Sequence, residues 1–184
     1  MGGLERKCEA NPCFQKQSND HMFSFVGRKG RRIFCSFIYA SNFVEERRTL
    51  WEDICHHHDS PLFKDKPWMI CGDFNKILDG SEHSNFDSTQ ISYAGMRDFQ
   101  AVIRHCSITD LGYHGPLFTW CNKREEGLVC KKLDRVLVND SWCNVFPHSY
   151  SVFESGGCSD HARGRFNLEA LARGDGSLSN SLMY

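Results

Sequence analysis

Asp73 and Asn75 stand two residues apart in Gly72-Asp73-Phe74-Asn75, directly after the apolar run Trp68-Met69-Ile70-Cys71. Alternate residues of an extended segment face the same way, so a carboxylate and an amide share one side of the chain. A carboxylate can take a proton from water or hold a hard cation, which makes this spot a candidate for chemistry on a polar substrate. The same residues also make an ordinary Asp/Asn/Gly turn after a strand. A second pair, Asp160-His161, follows the glycine-containing stretch Gly156-Gly157-Cys158-Ser159. Histidine exchanges protons near neutral pH, and a carboxylate partner can fix its tautomer. Asp134, within Lys132-Leu133-Asp134-Arg135, is the candidate partner, because a carboxylate in an otherwise apolar strand needs one if it is buried. The alternative for Asp134 is an ion pair with Arg135 or Lys132 at a strand edge. Oxygen donors with a histidine suit a hard cation such as Mg2+ acting on a phosphate.

These residues need a frame, and the chain supplies strands and helices in alternation. Met22–Val26 and Ile33–Tyr39 are β-rich runs around the basic turn Gly27-Arg28-Lys29-Gly30, which predicts a hairpin. Asn42 with Glu45 three residues on predicts a capped helix, with Val44, Leu50, Trp51 and Ile54 inward and an end near His56-His57-His58. Three consecutive histidines point to different sides of a helix, so they read as a solvated helix end rather than one metal site. Residues 68–71 predict a strand buried on both faces. Met96, Phe99, Val102, Ile103 and Cys106 recur at helical spacing. Leu117–Trp120 and Val129–Val138 read as strands joined by the polar loop 122–127. A brief helix at 141–146 and strands at 149–153 and 163–168 follow. Residues 1–20 and 169–184 read as disordered flanks of a domain at 21–168. The order of elements indicates an α/β layered domain.

Composition bounds the function more loosely. The chain has 184 residues, enough for one domain, and a net charge of −1 from 22 basic and 23 acidic residues. Global charge therefore announces no nucleic-acid binder, although basic residues cluster at 28–32, 47–48, 131–132 and 163–165. No apolar stretch reaches the roughly 18 residues of a membrane span, and the N-terminus lacks an apolar leader. An intracellular setting, nuclear or cytoplasmic, is the expectation. The ten cysteines fall singly in apolar segments with no C-x-x-C spacing, so they are expected to be reduced and unpaired.

Tyr39 at a strand end, GDFN at 72–75, FTW at 118–120, KLDR at 132–135 and SDH at 159–161 succeed one another in an order that resembles the exonuclease–endonuclease–phosphatase superfamily. The likeness is to the apurinic/apyrimidinic-type endonuclease domain of plant non-LTR (LINE-type) retroelements and runs from about residue 20 to 168. It implies a two-sheet α/β sandwich with one metal-phosphate site at the strand ends. In that likeness Asp73 activates water, Asn75 holds the water or the phosphate, and Tyr39 contacts the phosphate. His161 stabilises charge on the phosphoryl oxygens, Asp134 orients its ring, and Asp160 binds Mg2+ or Mn2+. DNA is the implied partner, with loop 122–127 beside it.

The pattern also breaks. The family's earlier strand-end Asn and its Glu metal ligand have no counterpart in residues 1–20, and Arg163 stands where many members carry proline. The expectation is an N-terminally truncated domain whose metal is weakly held. A Mg-dependent, DNA-nicking phosphodiesterase of retroelement origin, impaired by the truncation, is the leading reading. A non-catalytic remnant that binds nucleic acid or protein, or a phosphatase for small phosphate esters, are the alternatives.

Overall fold

The computed structural model describes residues 16–17, 20–26, 32–86, 93–155, 159–168 and 180–183, with side chains for 32–86, 93–155 and 159–168. Twelve strands occur among them: β1 (Lys16–Gln17), β2 (Asp20–Val26), β3 (Arg32–Tyr39), β4 (Trp68–Asp73), β5 (Ile108–Asp110), β6 (Tyr113–His114), β7 (Trp120–Cys121), β8 (Cys130–Lys131), β9 (Asp134–Asn139), β10 (Tyr150–Glu154), β11 (Arg163–Leu168) and β12 (Asn180–Met183). The helices are α1 (Val44–Asp59), α2 (Ala94–His105) and α3 (Asp140–Val145), with a 3-10 turn at Gly80–Glu82. One sheet runs β1-β2-β3-β4-β9-β5, a second runs β12-β11-β10-β6, and β7-β8 form a short ribbon.

Period-two patterning of β3, β4 and β9 explains the layers, because alternate side chains leave opposite faces of a sheet. Phe34, Ile38, Trp68, Ile70 and Leu137 face the helices, packing with Leu50, Trp51 and Ile54 of α1 and Phe99 and Val102 of α2. Cys35, Met69, Cys71, Val136 and Val138 face the other way, onto Phe153 and Phe166 of the second sheet and Trp142 of α3. The result is a helix layer and two sheets, the α/β sandwich expected. β4 is apolar on both faces, as residues 68–71 require.

Several local expectations are corrected. α1 starts at Val44 after Phe43, with no side-chain cap from Asn42; Ser41 Oγ instead accepts the Phe43 N–H at 3.1 Å. Residues 117–119 are not strand; β7 begins at Trp120. β5 and β6 were not anticipated, being only three and two residues long. Segments expected to be disordered contribute β1 and the start of β2 on one side and β12 on the other, β12 pairing antiparallel with β11. The basic turn 27–31 and the rest of both flanks lie outside the described residues. Cys121 and Cys130 form a disulfide, against the expectation of ten free thiols. They are nine apart in sequence and become opposite partners only because the polar loop folds β8 back on β7. Cys35, Cys55, Cys71, Cys106 and Cys143 are free, and Cys8, Cys13 and Cys158 lie outside the described residues.

The histidine run forms the last turn of α1. His57 stacks on Phe63 with ring centroids 5.3 Å apart, while His58 meets His105 at 5.6 Å. Among the described residues, no helix is long and apolar enough to cross a membrane.

Candidate active site

Tyr39, Asp73 and Asp134 lie in one row across the main sheet. Asp73 is the partner of Tyr39 on parallel β3–β4 and of Asp134 on antiparallel β4–β9. The row sits at the edge of the face that meets the second sheet. His161 comes from the segment leading into β11 of that second sheet, so packing the two sheets closes the site. Its Nδ1 lies 3.0 Å from Asp134 Oδ2, and its Nε2 lies 3.9 Å from Asp73 Oδ2. Donor atoms of Asp73, Asp134 and His161 all fall within 4.8 Å of one another, a combination found nowhere else among the described residues.

Each member is held by local structure. β4 reaches the site through Gly72 at φ +135°, where an added Cβ would stand 2.0 Å from the Ile38 carbonyl oxygen. Only glycine tolerates that approach. Asp73 Oδ1 accepts the Asn75 N–H at 2.7 Å, closing a turn that places Asn75 at φ 48°, a left-handed conformation asparagine accepts better than most residues. The Asn75 side chain donates to the Ala40 carbonyl at 3.3 Å, tying the turn to the end of β3. Phe74, between the two polar residues, is fully buried against Phe99 and Trp51. Thr119 Oγ1 accepts the N–H groups of both Leu133 and Asp134, and its carbonyl accepts the Ala162 N–H at 2.6 Å. One buried threonine thus aligns both halves of the Asp134–His161 pair. The FTW motif pointed to this segment, but only the fold reveals the threonine's contacts.

Burial pushes the Asp73 carboxyl above its usual range; the Asn75 N–H opposes this, while Asp134 and Asp160 add to it. His161 is raised above the ordinary histidine value, chiefly by its hydrogen bond to Asp134. The Asp134 contact therefore favours the protonated form of His161. Asp160, expected as a metal ligand, is not among the converging donors. Its Oδ2 accepts the Trp120 indole N–H at 2.8 Å, and that bond holds the carboxyl below its usual range. Trp120 is half-buried, with Lys131 Nζ 5.5 Å from its ring centre, and is not a core residue. Tyr39 is 72% exposed, open to a large substrate. The alternative ion pairs for Asp134 do not form. Arg135 is wholly buried and pairs with Glu82 and with Asp110, while Lys132 joins Asp110 at 3.1 Å. Sequence spacing could not reveal these partners, which come from the 3-10 turn and from β5.

Residues 13–161 match the model of the Endonuclease/Exonuclease/phosphatase family. The chain belongs to that family. Among solved structures, the endonuclease domain of TRAS1, a telomere-specific non-LTR retrotransposon, superposes with a TM-score of 0.61 at 14% identity, covering 83% of this chain and 64% of that one. The Xenopus laevis APE2 catalytic domain gives 0.51 at 11% identity, covering 89% and 55%. An endonuclease/exonuclease/phosphatase protein from Bacteroides vulgatus gives 0.50 at 14%, covering 82% and 55%. The chain thus spans a little over half to about two thirds of the length of these relatives. No curated protein matches it in sequence. At such identities the superpositions establish the fold, and the family's typical chemistry is phosphodiester hydrolysis with divalent metals.

The donor set fits a partly hydrated divalent cation. Mg2+ keeps several waters and takes one or two carboxylates, and Asp73 and Asp134 offer two. A cation there would also offset the burial and like-charge repulsion that raise Asp73. Asp134 already spends one oxygen on His161.

Proposed function

We propose that the chain is a Mg2+- or Mn2+-dependent phosphodiesterase that nicks DNA, of the retroelement endonuclease type. The observation that carries this reading is the convergence of Asp73, Asp134 and His161 at the strand ends of a family fold. Asp73 accepts the proton of an attacking water, and Asn75 fixes the turn that aims it. His161, protonated through Asp134, presents Nε2–H to a phosphoryl oxygen. Nε2 and Asp73 Oδ2 are 3.9 Å apart, so one oxygen at about 2.8 Å from each can sit off the line between them. Tyr39 contacts the phosphate from the exposed end of the row. The bound cation would neutralise phosphate charge, the usual contribution of a metal in phosphoryl chemistry. Asp73 and Asp134 would hold it, with Asp160 adding negative potential.

The test is conversion of supercoiled plasmid to open circle, with Mg2+ or Mn2+ at millimolar levels. The chain should exceed its own His161→Ala variant by about 10²-fold or more, the range for a charge-stabilising group. Equal rates would sink the reading and leave the non-catalytic alternative in its place.

A further inference from the structure

The ribbon β7–β8 has two residues per strand, too few cross-strand hydrogen bonds to be firm by itself. It nevertheless links the segment that carries His161 to the 3-10 turn region. On one side the Cys121 N–H donates to the Asp160 carbonyl at 3.1 Å, the Trp120 indole holds the Asp160 carboxylate, and the Thr119 carbonyl accepts the Ala162 N–H. His161 is thus gripped at both neighbours. On the other side the Cys130 N–H donates to Ser84 Oγ at 3.0 Å, and its carbonyl accepts the Ser84 N–H at 2.9 Å. The Lys132 N–H donates to the Glu82 carbonyl at 3.0 Å. The Cys121–Cys130 disulfide is the covalent tie between these two sets of contacts.

We propose that this disulfide is a redox modification site, a strap that oxidation closes and a dithiol reductant opens, setting how firmly His161 is held. The loop it spans, 123–128, is exposed, so a reductant can approach. A thiolate of the dithiol attacks one sulfur, forming a mixed disulfide and releasing one cysteine. The reductant's second thiol then closes its own disulfide and releases the other. Two electrons pass to the cystine, and two protons end on the Cys121 and Cys130 thiols. Opening is reversible by construction, because Asn122 spans the same loop: its Nδ2 donates to the Gly127 carbonyl at 3.0 Å and its Oδ1 accepts the Val129 N–H at 3.1 Å. The two thiols therefore stay close after reduction. Cys35, Cys55, Cys71 and Cys106 do not compete, since burial pushes their thiols up, away from the reactive thiolate.

The consequence for hydrolysis rests on the function proposed above; the strap does not. The test uses the full chain, oxidised and after dithiothreitol, beside a Cys121→Ser/Cys130→Ser variant. Peptide mapping without reductant should find Cys121 linked to Cys130. Reduction should speed hydrogen exchange at the Cys121, Cys130 and Ala162 amides by about tenfold or more, as expected when a local opening becomes easier. Plasmid nicking should fall several-fold, and the double variant should match the reduced chain and ignore dithiothreitol. An absent bridge, unchanged exchange, nicking that exceeds the His161→Ala variant yet is indifferent to the dithiol, or a response that persists in the double variant overturns the proposal. If exchange responds but neither form nicks above His161→Ala, the strap stands and the hydrolytic reading falls.

Discussion

Asp73 and Asp134 face each other as register partners on β4–β9, two carboxylates on the same face of a sheet. Like charges directly opposite destabilise a strand pair. The fold accepts the arrangement because each carboxylate has its own outlet, Asp73 in the Asn75 N–H and Asp134 in His161.

Asp134→Asn should lower the His161 pKa, because the Asp134 hydrogen bond is the largest cause of its elevation. In the parent chain, protonated His161 stabilises the fold fully below 6.5, and that stability is lost as pH rises through the raised folded value. The variant should lack this loss, and the alkaline limb of its activity should move to lower pH. Ring-proton NMR titration of His161 checks the shift; an unmoved midpoint would separate the pair.

Asp73→Asn should abolish nicking yet raise thermal stability at pH 7 in chelating buffer. The folded pKa of Asp73 lies above 3.8, so the native state binds more protons than the unfolded chain between those values. Parent stability therefore falls as pH rises through that window. The variant's advantage should grow with pH and vanish below 3.8. Melting curves from pH 3 to 7 would read it, and a constant difference would contradict the argument.

Arg135→Ala should cost about 3–5 kcal/mol, because it leaves the buried Glu82 carboxylate without its charged partner. Arg135→Met combined with Glu82→Gln should recover most of that loss, since Asp110 keeps Lys132. Urea unfolding of the three proteins is the measurement. A double variant as weak as Arg135→Ala would mean the pair acts through shape rather than charge.

Mn2+ should bind at roughly millimolar strength or weaker, as expected when most waters of the ion are retained. Asp73→Asn should weaken it more than Asp160→Ala, because Asp73 belongs to the converging donors and Asp160 is held by Trp120. The reverse order, seen by calorimetry, would return the ion to Asp160.

The strand-end Asp73 and Asn75 were legible because an interior strand announces itself as an apolar run, and the polar residues after it lie at its end. Asp134 was legible as a lone carboxylate in an otherwise largely apolar strand. The link between His161 and Asp134 was only a candidate in the sequence, since 27 residues separate them and sheet packing alone brings them together. What stayed hidden was short or long-range. β5 and β6 are too brief for any periodicity, and the Cys121–Cys130 pairing depends on a loop's path rather than on composition. The Arg135 partners come from two distant segments, so local charge spacing suggested the wrong pairs.

Phe74 has a consequence for timing. Its ring is pinned against Phe99 and Trp51, and its N–H donates to the Leu133 carbonyl at 3.0 Å. The residue between Asp73 and Asn75 is thus an anchor of the core itself. Its amide should exchange with solvent only when the whole domain unfolds, hours behind the surface loops. The carboxylate and the amide on either side of such an anchor keep their spacing for as long as the domain stays folded.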